Sequence, residues 1–328
     1  MILKAMIAKY MRYFILAQLT LLFSNEAFAL WQEKTIRVDG GQIKYFQIGS
    51  GQPVLLLHGL FANKEQWLGL IQQLIKNNAQ ITSKFQFIVP DLPGYAQSTG
   101  YPVEAYNLDN DTIKPKSLNQ VTILHDFMNQ LHIRAPIHLA GNSMGGLIMT
   151  LYTVHYPREV KSLTYMGSPL GISDLTSKLI NSSFRRGYNP FTPTTLSQFH
   201  NELSLLLINY AAIMPSDEYI KTKILPPVEK NFQTLTAAFN NSFIPYYRDY
   251  LKKPLTITQP VIIFWGDKDY IFGNIRHAKQ LCHNLVQSKK CSWHAIPDAG
   301  HLLMMENQKT LNTIAHYYEQ FLSGKGPS

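Results

Sequence analysis

The chain has 328 residues, with 30 Lys and Arg against 21 Asp and Glu, for a formal charge of +9. Hydrophobic residues make up 45% and charged ones 16%, which supplies a large core and argues against disorder. No short tandem repeat is visible, and past residue 30 no apolar run is long enough to span a bilayer, so a solenoid and a multi-pass membrane protein are excluded.

At the N-terminus, Lys4, Lys9 and Arg12 precede a compact apolar stretch, Tyr13 to Phe23, followed by Ser24-Asn25-Glu26 and Ala27-Phe28-Ala29. A basic head, a short apolar middle and small residues at positions −3 and −1 form the pattern of a secretory signal. Cleavage is expected after Ala29, giving an exported, periplasmic or secreted protein. A retained N-terminal anchor and a buried helix stay open as alternatives. Cleavage would remove three cationic groups and one carboxylate, leaving +7. With no cysteine near that point, lipid attachment is not expected.

Thr35 to Val38 and Gln42 to Ile48 alternate apolar and polar around Asp39-Gly40-Gly41, which predicts an antiparallel hairpin. Pro53 to Gly59 is a continuous apolar run of the kind covered on both faces of a sheet. Trp67, Leu70, Ile71, Leu74 and Ile75 recur at helical spacing. Phe85 to Val89 reads as a second buried strand, ending in Pro90-Asp91-Leu92-Pro93-Gly94. After a polar loop, Leu118, Val121, Leu124, Phe127, Met128 and Leu131 line one side of a helix. Ile137 to Ala140 is a strand that runs into Gly141-Asn142-Ser143-Met144-Gly145-Gly146 and a helix to Tyr156; Val160 to Met166 is the next strand.

From Ser168 to about Pro254 the alternation stops. Apolar residues at helical spacing, broken by Pro190, Pro193, Pro215, Pro226-Pro227 and Pro245, predict a mainly helical insertion at about 169–254. The alternation resumes with a strand at Val261 to Trp265, a helix around Ile275 to Leu285, a strand at Ser292 to Ile296 and a final helix from about Gln308 to Phe321. Strands alternating with helices predict an α/β fold: a mostly parallel central sheet with helices on both faces, here with a helical cap. The domain is expected to cover residues 30–328.

Only two cysteines occur, Cys282 and Cys291, too few for a zinc site without further ligands. In an exported chain they are expected to pair as one disulfide between a helix end and a strand start, with two free thiols as the alternative. Basic residues are dispersed, the densest pairs being Lys289-Lys290 and Arg185-Arg186. No nucleic-acid partner is therefore expected, while peripheral contact with an anionic membrane face stays open. Neither a metal nor a cofactor is expected, since no HExxH or tight His/Asp cluster appears.

The chemistry concentrates at three strand ends. Gly141-Asn142-Ser143-Met144-Gly145 is a G-x-S-x-G pentapeptide between a strand and a helix, the context that pushes a serine out at the carboxyl edge of a sheet. Gly266-Asp267-Lys268-Asp269 follows a later strand, and Asp298-Ala299-Gly300-His301 follows the last one. A serine hydroxyl is a poor nucleophile until a histidine takes its proton and a carboxylate fixes the imidazole. The order Ser, Asp, His along the chain fits that chemistry on this type of sheet.

With His58-Gly59-Leu60-Phe61 and Asp91-Leu92-Pro93-Gly94-Tyr95-Ala96-Gln97-Ser98, these marks make the sequence resemble the α/β-hydrolase superfamily from about Thr35 to Leu322. Within it the chain is similar to capped bacterial serine esterases and lipases. One departure is Ala96, where many relatives carry glycine. The resemblance implies Ser143 as nucleophile, His301 as general base and then acid, and Asp269 as the orienting carboxylate. Asp267 is the alternative acid, and Asp174 a relocated one. It also implies an oxyanion hole from the backbone N–H groups of Met144 and Leu60, with Phe61 as the alternative second donor. His58 reads as a structural hydrogen-bonder, and Asp91 and Ser98 as local turn residues.

The implied activity is hydrolysis of a carboxylic ester, lipid or acyl in character, through an acyl-enzyme, with a small-molecule or lipid ester as the partner; a monomer is expected, and an oligomer stays open. Aromatic and leucine residues of the cap, among them Phe199 and Leu205-Leu206-Leu207, are candidates for an apolar acyl pocket. Thioesterase, amidase, carbon–carbon hydrolase, cofactor-free haloperoxidase and acyltransferase chemistry stay open on the same triad. So does a non-catalytic binder of a hydrophobic ligand.

Overall fold

The computed structural model describes residues 31–60, 62–99, 119–168, 193–208, 210, 216–226, 257–273, 275–285, 288 and 290–325. The N-terminal segment 1–29, Phe61, Asp174 and most of the expected cap lie outside these residues.

Strands β1 (Gln32–Val38) and β2 (Gly41–Ile48) pair antiparallel, with Val38 opposite Gly41. Gly40, at φ 79, supplies the left-handed residue of that tight reversal. Strand β3 (Gln52–Leu57) leads through a 3-10 turn, Lys64–Trp67, into α1 (Leu68–Asn77), the short α2 (Ile81–Lys84) and β4 (Phe85–Pro90). Next come α3 (Asn119–Gln130), β5 (Ile137–Asn142), α4 (Met144–His155) and β6 (Val160–Met166).

The described part of the insertion is helical. It comprises α5 (Leu196–Leu206), opened by a Thr195/Gln198 capping box, and α6 (Asp217–Tyr219), which continues into a π-helical turn, Ile220–Ile224. Strand β7 (Val261–Gly266), α7 (Arg276–Asn284), β8 (Cys291–Ile296) and α8 (Gln308–Leu322) complete the order.

Among the described residues, eight strands form one sheet in the order β1-β2-β4-β3-β5-β6-β7-β8. The β1–β2 and β2–β4 pairs are antiparallel, and every pair from β4 to β8 is parallel. From β3 the chain steps to β4 on one side, then crosses to β5 on the other. The order therefore reverses between β3 and β5, and a crevice at their carboxyl ends is the favoured ligand position in such sheets.

The unbroken apolar runs follow from burial on two faces. Leu55 and Leu57 join one core with Leu139, Val261, Ile263 and Trp265, under α3, α4 and α7. Val54 and Leu56 join the other with Ala140, Ile262 and Phe264, under α1 and α8. Successive strand residues thus serve opposite layers. Helix α4 is buried at every position from Met144 to Thr153, so its sequence is apolar around most of its circumference. Cys282, on α7, and Cys291, opening β8, are joined as a disulfide with Cα atoms 5.6 Å apart. No helix among the described residues is long and apolar enough to cross a membrane.

Two imidazoles are held inside this sheet. His138, in β5, faces the Ser162 hydroxyl at 2.6 Å, and His58, just past β3, is fully buried. Burial pushes both down to about 4. Their folded values lie below those of the unfolded chain, so unfolding takes up protons. Stability is fully present above about pH 6.5 and declines as pH falls toward 4, by up to about 1.4 kcal/mol per pH unit for each histidine. Urea midpoints measured at pH 7 and pH 5 should show this fall, and His138→Gln should make it shallower.

Candidate active site

Strand β5 ends at Asn142 and α4 begins at Met144, so Ser143 alone makes the turn, with φ 49 and ψ −117. A non-glycine residue held there costs about 1–3 kcal/mol, and the surroundings must over-determine it. They do. The Ser143 N–H donates to the Met166 carbonyl at 3.4 Å, while its own carbonyl accepts from the Gly146 N–H at 3.0 Å and from the Ser168 hydroxyl at 2.6 Å. Helix α4 also passes very close to its neighbours. A Cβ on Gly145 would lie 2.2 Å from the Leu57 carbonyl oxygen, and one on Gly141 would lie 2.4 Å from the Gly145–Gly146 backbone. The glycines of the pentapeptide are therefore a packing requirement.

His301 reaches the same edge from the loop after β8. Its Nδ1 lies 2.9 Å from Asp269 Oδ2, and both side chains are buried. The other Asp269 oxygen accepts from the Ile271 and Phe272 N–H groups at 2.9 and 3.0 Å. A carboxylate can only accept, so the imidazole proton sits on Nδ1 and Nε2 is left as the basic nitrogen. The Phe272 ring packs on the imidazole at 5.1 Å between centroids. Asp267 is exposed; the carboxylate that meets the imidazole is Asp269.

The Asn142 side chain joins the serine turn to the histidine loop. Its amide donates to the Met166 carbonyl at 2.7 Å and to the His301 carbonyl at 3.3 Å. His301 is thereby held against the residue that precedes Ser143. The loop after β3 closes the third side, since a Cβ on Gly59 would sit 3.5 Å from Ser143 Cβ. Leu60 is half-buried against the core that contains Met144, and Phe61 lies outside the described residues.

His58 has the structural role expected of it. Its Nε2 accepts from the Leu92 N–H at 2.9 Å, so Nδ1 carries the proton and donates to the Gly59 carbonyl at 2.7 Å. Asp91 and Ser98 brace the same turn. The Ser98 hydroxyl donates to the Asp91 carbonyl at 2.7 Å, and Asp91 binds buried Lys64 at 3.0 Å. Ala96 takes φ 46, a conformation that glycine adopts without strain.

Two contacts had no motif to announce them. The Leu206 carbonyl, at the end of α5, accepts from the His301 and Leu302 N–H groups at 2.8 and 3.1 Å. Glu306 Oε1 accepts from the N–H groups of Gly300 at 2.8 Å and Ile208 at 3.0 Å. Buried Gln66 is another such residue, signalled only by being polar beside the apolar face that starts at Trp67. Among the described residues, no group of three or more His, Cys, Asp or Glu is gathered to hold a metal.

Residues 52–308 match the family described as the alpha/beta hydrolase fold. The chain belongs to that family. It is similar to monoacylglycerol lipase abhd6-B of Xenopus laevis, 25% identical, with 86% of each chain covered. Lipase 1 of Psychrobacter immobilis is 26% identical, covering 87% of this chain and 81% of that one. Among solved structures, a putative lipase of Acinetobacter baumannii superposes with a TM-score of 0.69 at 22% identity, covering 93% and 96% of the two chains. A membrane phospholipase A, described as a bacterial virulence factor, superposes at 0.63 with 24% identity, covering 99% and 96%. At these identities the structures speak for the fold. They share the hydrolase sheet.

Gly145→Ala drives a methyl group into two backbone carbonyls that cannot move aside. It should destabilise the protein by about 1–3 kcal/mol, read as a lowered denaturant midpoint.

Proposed function

We propose that the chain is a serine hydrolase that cleaves carboxylic esters of lipid-like acyl groups through an acyl-enzyme. The observation that carries this reading is the His301 Nδ1 to Asp269 Oδ2 contact of 2.9 Å. It is made by a histidine whose carbonyl is fastened to Asn142, beside a serine in a strained turn.

In this mechanism His301 Nε2 takes the Ser143 proton as Oγ attacks the acyl carbon. Asp269, fixed by two backbone N–H groups, stabilises the imidazolium that forms. The oxyanion is received by the Met144 N–H, in the first turn of α4 where no helical carbonyl precedes it, and by the Leu60 N–H. His301 then passes its proton to the leaving alcohol. A water attacks the acyl-enzyme with His301 again as base, and the carboxylic acid leaves as Ser143 regains its proton.

The character of the acyl group is inferred from the apolar side chains near the proposed site. Leu60, Leu205 and Leu206 are partly buried against the core that includes Tyr95, Met144 and Phe272. An apolar surround of this kind suits a hydrocarbon chain. The lipase names of the sequence relatives point the same way. Export is part of the proposal: residues 1–29 act as a cleaved signal, and the Cys282–Cys291 bridge suits an oxidising compartment.

With p-nitrophenyl butyrate and octanoate as substrates, Ser143→Ala, His301→Ala and Asp269→Asn should each lower kcat/KM by on the order of 10³-fold or more. Asp267→Asn should stay within about 2-fold, as expected of an exposed side chain without a catalytic contact. Equal hydrolysis by wild type and Ser143→Ala overturns the assignment. For export, N-terminal sequencing of the mature protein should begin at Leu30, and intact Met1 protein in the membrane fraction would favour an anchor.

A further inference from the structure

Gln66 lies in the 3-10 turn that follows the loop after β3 and is buried, yet nothing in the proposed chemistry uses it. Its Oε1 accepts from the Gly59 N–H at 3.0 Å. Its Nε2 donates to Asn142 Oδ1 at 2.7 Å and meets Met304 Sδ at 3.1 Å. Asn142 Nδ2 in turn donates to the Met166 and His301 carbonyls.

The polarity of this chain of amides is fixed at both ends. A backbone N–H can only donate, so the Gln66 atom facing Gly59 must be its oxygen. The nitrogen of Gln66 then faces Asn142, whose facing atom must be oxygen. That leaves the Asn142 nitrogen for two carbonyls, which can only accept. Reversing either amide would set like against like at both of its ends, in a site where an unmatched polar group is expensive. One directional relay therefore links the loop of the proposed oxyanion donor Leu60, the residue before Ser143 and the backbone of His301.

We infer that Gln66 is a positioning residue, which holds the His58–Gly59 peptide, and with it the start of the segment that carries the proposed donor Leu60, in register with Ser143 and His301. The inference rests on the serine-hydrolase reading. Gln66 touches no reacting atom, and it acts through the Gly59 backbone, the residue from which the Leu60 peptide starts. Donors misplaced by a fraction of an ångström lose transition-state binding more than ground-state binding.

The test compares wild type, Gln66→Met and Ser143→Ala, each checked for native circular dichroism. The readouts are kcat and KM for p-nitrophenyl butyrate and the rate of labelling by a fluorophosphonate. Gln66→Met keeps the side-chain length and removes both polar ends. It should lower kcat by about 10- to 100-fold, as expected of a slightly misplaced site. KM should stay within about 3-fold, since ground-state binding is little affected. Labelling of Ser143 should slow in step with kcat. A folded Gln66→Met with wild-type kcat and labelling rate overturns the inference while leaving the serine reading intact. A wild type that labels no faster than Ser143→Ala overturns the serine reading itself, and this inference with it. Should Gln66→Met fail to fold, Gln66→Glu keeps the acceptor for Gly59 but sets an oxygen against Asn142 Oδ1. It should show the same loss of kcat, and wild-type kcat in that variant overturns the inference.

Discussion

The architecture of the site depends on one backbone constraint, a chain reversal between a buried strand and a buried helix made by a single residue. Ser143 occupies φ 49 because β5 and α4 are both committed to the core, leaving no room for a longer turn. Close approach of α4 to the end of β3 keeps the turn from relaxing, and that approach requires glycine at position 145. The strain is local, and the fold sustains it through two cores that hold the strand and helix in place. A serine so placed stands proud of the sheet edge, with the first turn of a helix directly behind it. Both features suit a nucleophile whose developing charge must be met by backbone N–H groups.

Around this turn, buried polar groups act by geometry more than by net stability. Lys64 is buried with Asp91 at 3.0 Å, and Glu33 and Glu65 lie at 3.3 and 3.1 Å. Burial alone would lower the ammonium pKa, but the carboxylates outweigh it and hold it above the ordinary value. Such a cluster gains little over an apolar substitute once desolvation is counted, yet it tolerates few alternative arrangements. The Lys64 N–H also donates to Asp91 Oδ1, and His58 accepts from the Leu92 N–H. Both ends of the 59–63 loop are thus tied to the same turn after β4, so the backbone donors proposed there are placed in advance.

What could be read from the residues was whatever has a period or a chemical signature. The apolar runs of β3 and β7, the hairpin glycines and the amphipathic face of α8 each follow from burial geometry, and each appears where the pattern put it. Ser143, Asp269 and His301 stood out because the proposed chemistry on a parallel sheet needs these residue types at strand ends. Strand β5 runs on to Asn142, two residues beyond its apolar stretch, because the ladder to β6 continues as far as Met166. Gln66, Leu206 and Glu306 were not legible. Each contributes through a hydrogen bond to backbone, and a backbone partner leaves no trace in the identity of the residue it belongs to. The resemblance favours Asp269 over Asp267, and burial and reach separate the two: Asp269 meets the imidazole while Asp267 is exposed.

The link between α5 and the histidine loop bears on how selectivity and catalysis can vary independently. One carbonyl, of Leu206, accepts from His301 and Leu302, and one carboxylate oxygen, of Glu306, accepts from Gly300 and Ile208. Moving the end of α5 away from the sheet would break several of these bonds at once, at about 1 kcal/mol each, and would leave buried N–H groups without partners. The same helix end packs Leu205 and Leu206 against the core beside the proposed acyl pocket. The segment that shapes the proposed acyl pocket and the segment that carries the proposed base therefore share their hydrogen bonds. A substitution that shifts Leu206 to admit a bulkier chain would shift the His301 backbone with it. Changes at half-buried Leu60 or Leu205 could alter the wall through side-chain volume alone, leaving the backbone bonds of His301 in place.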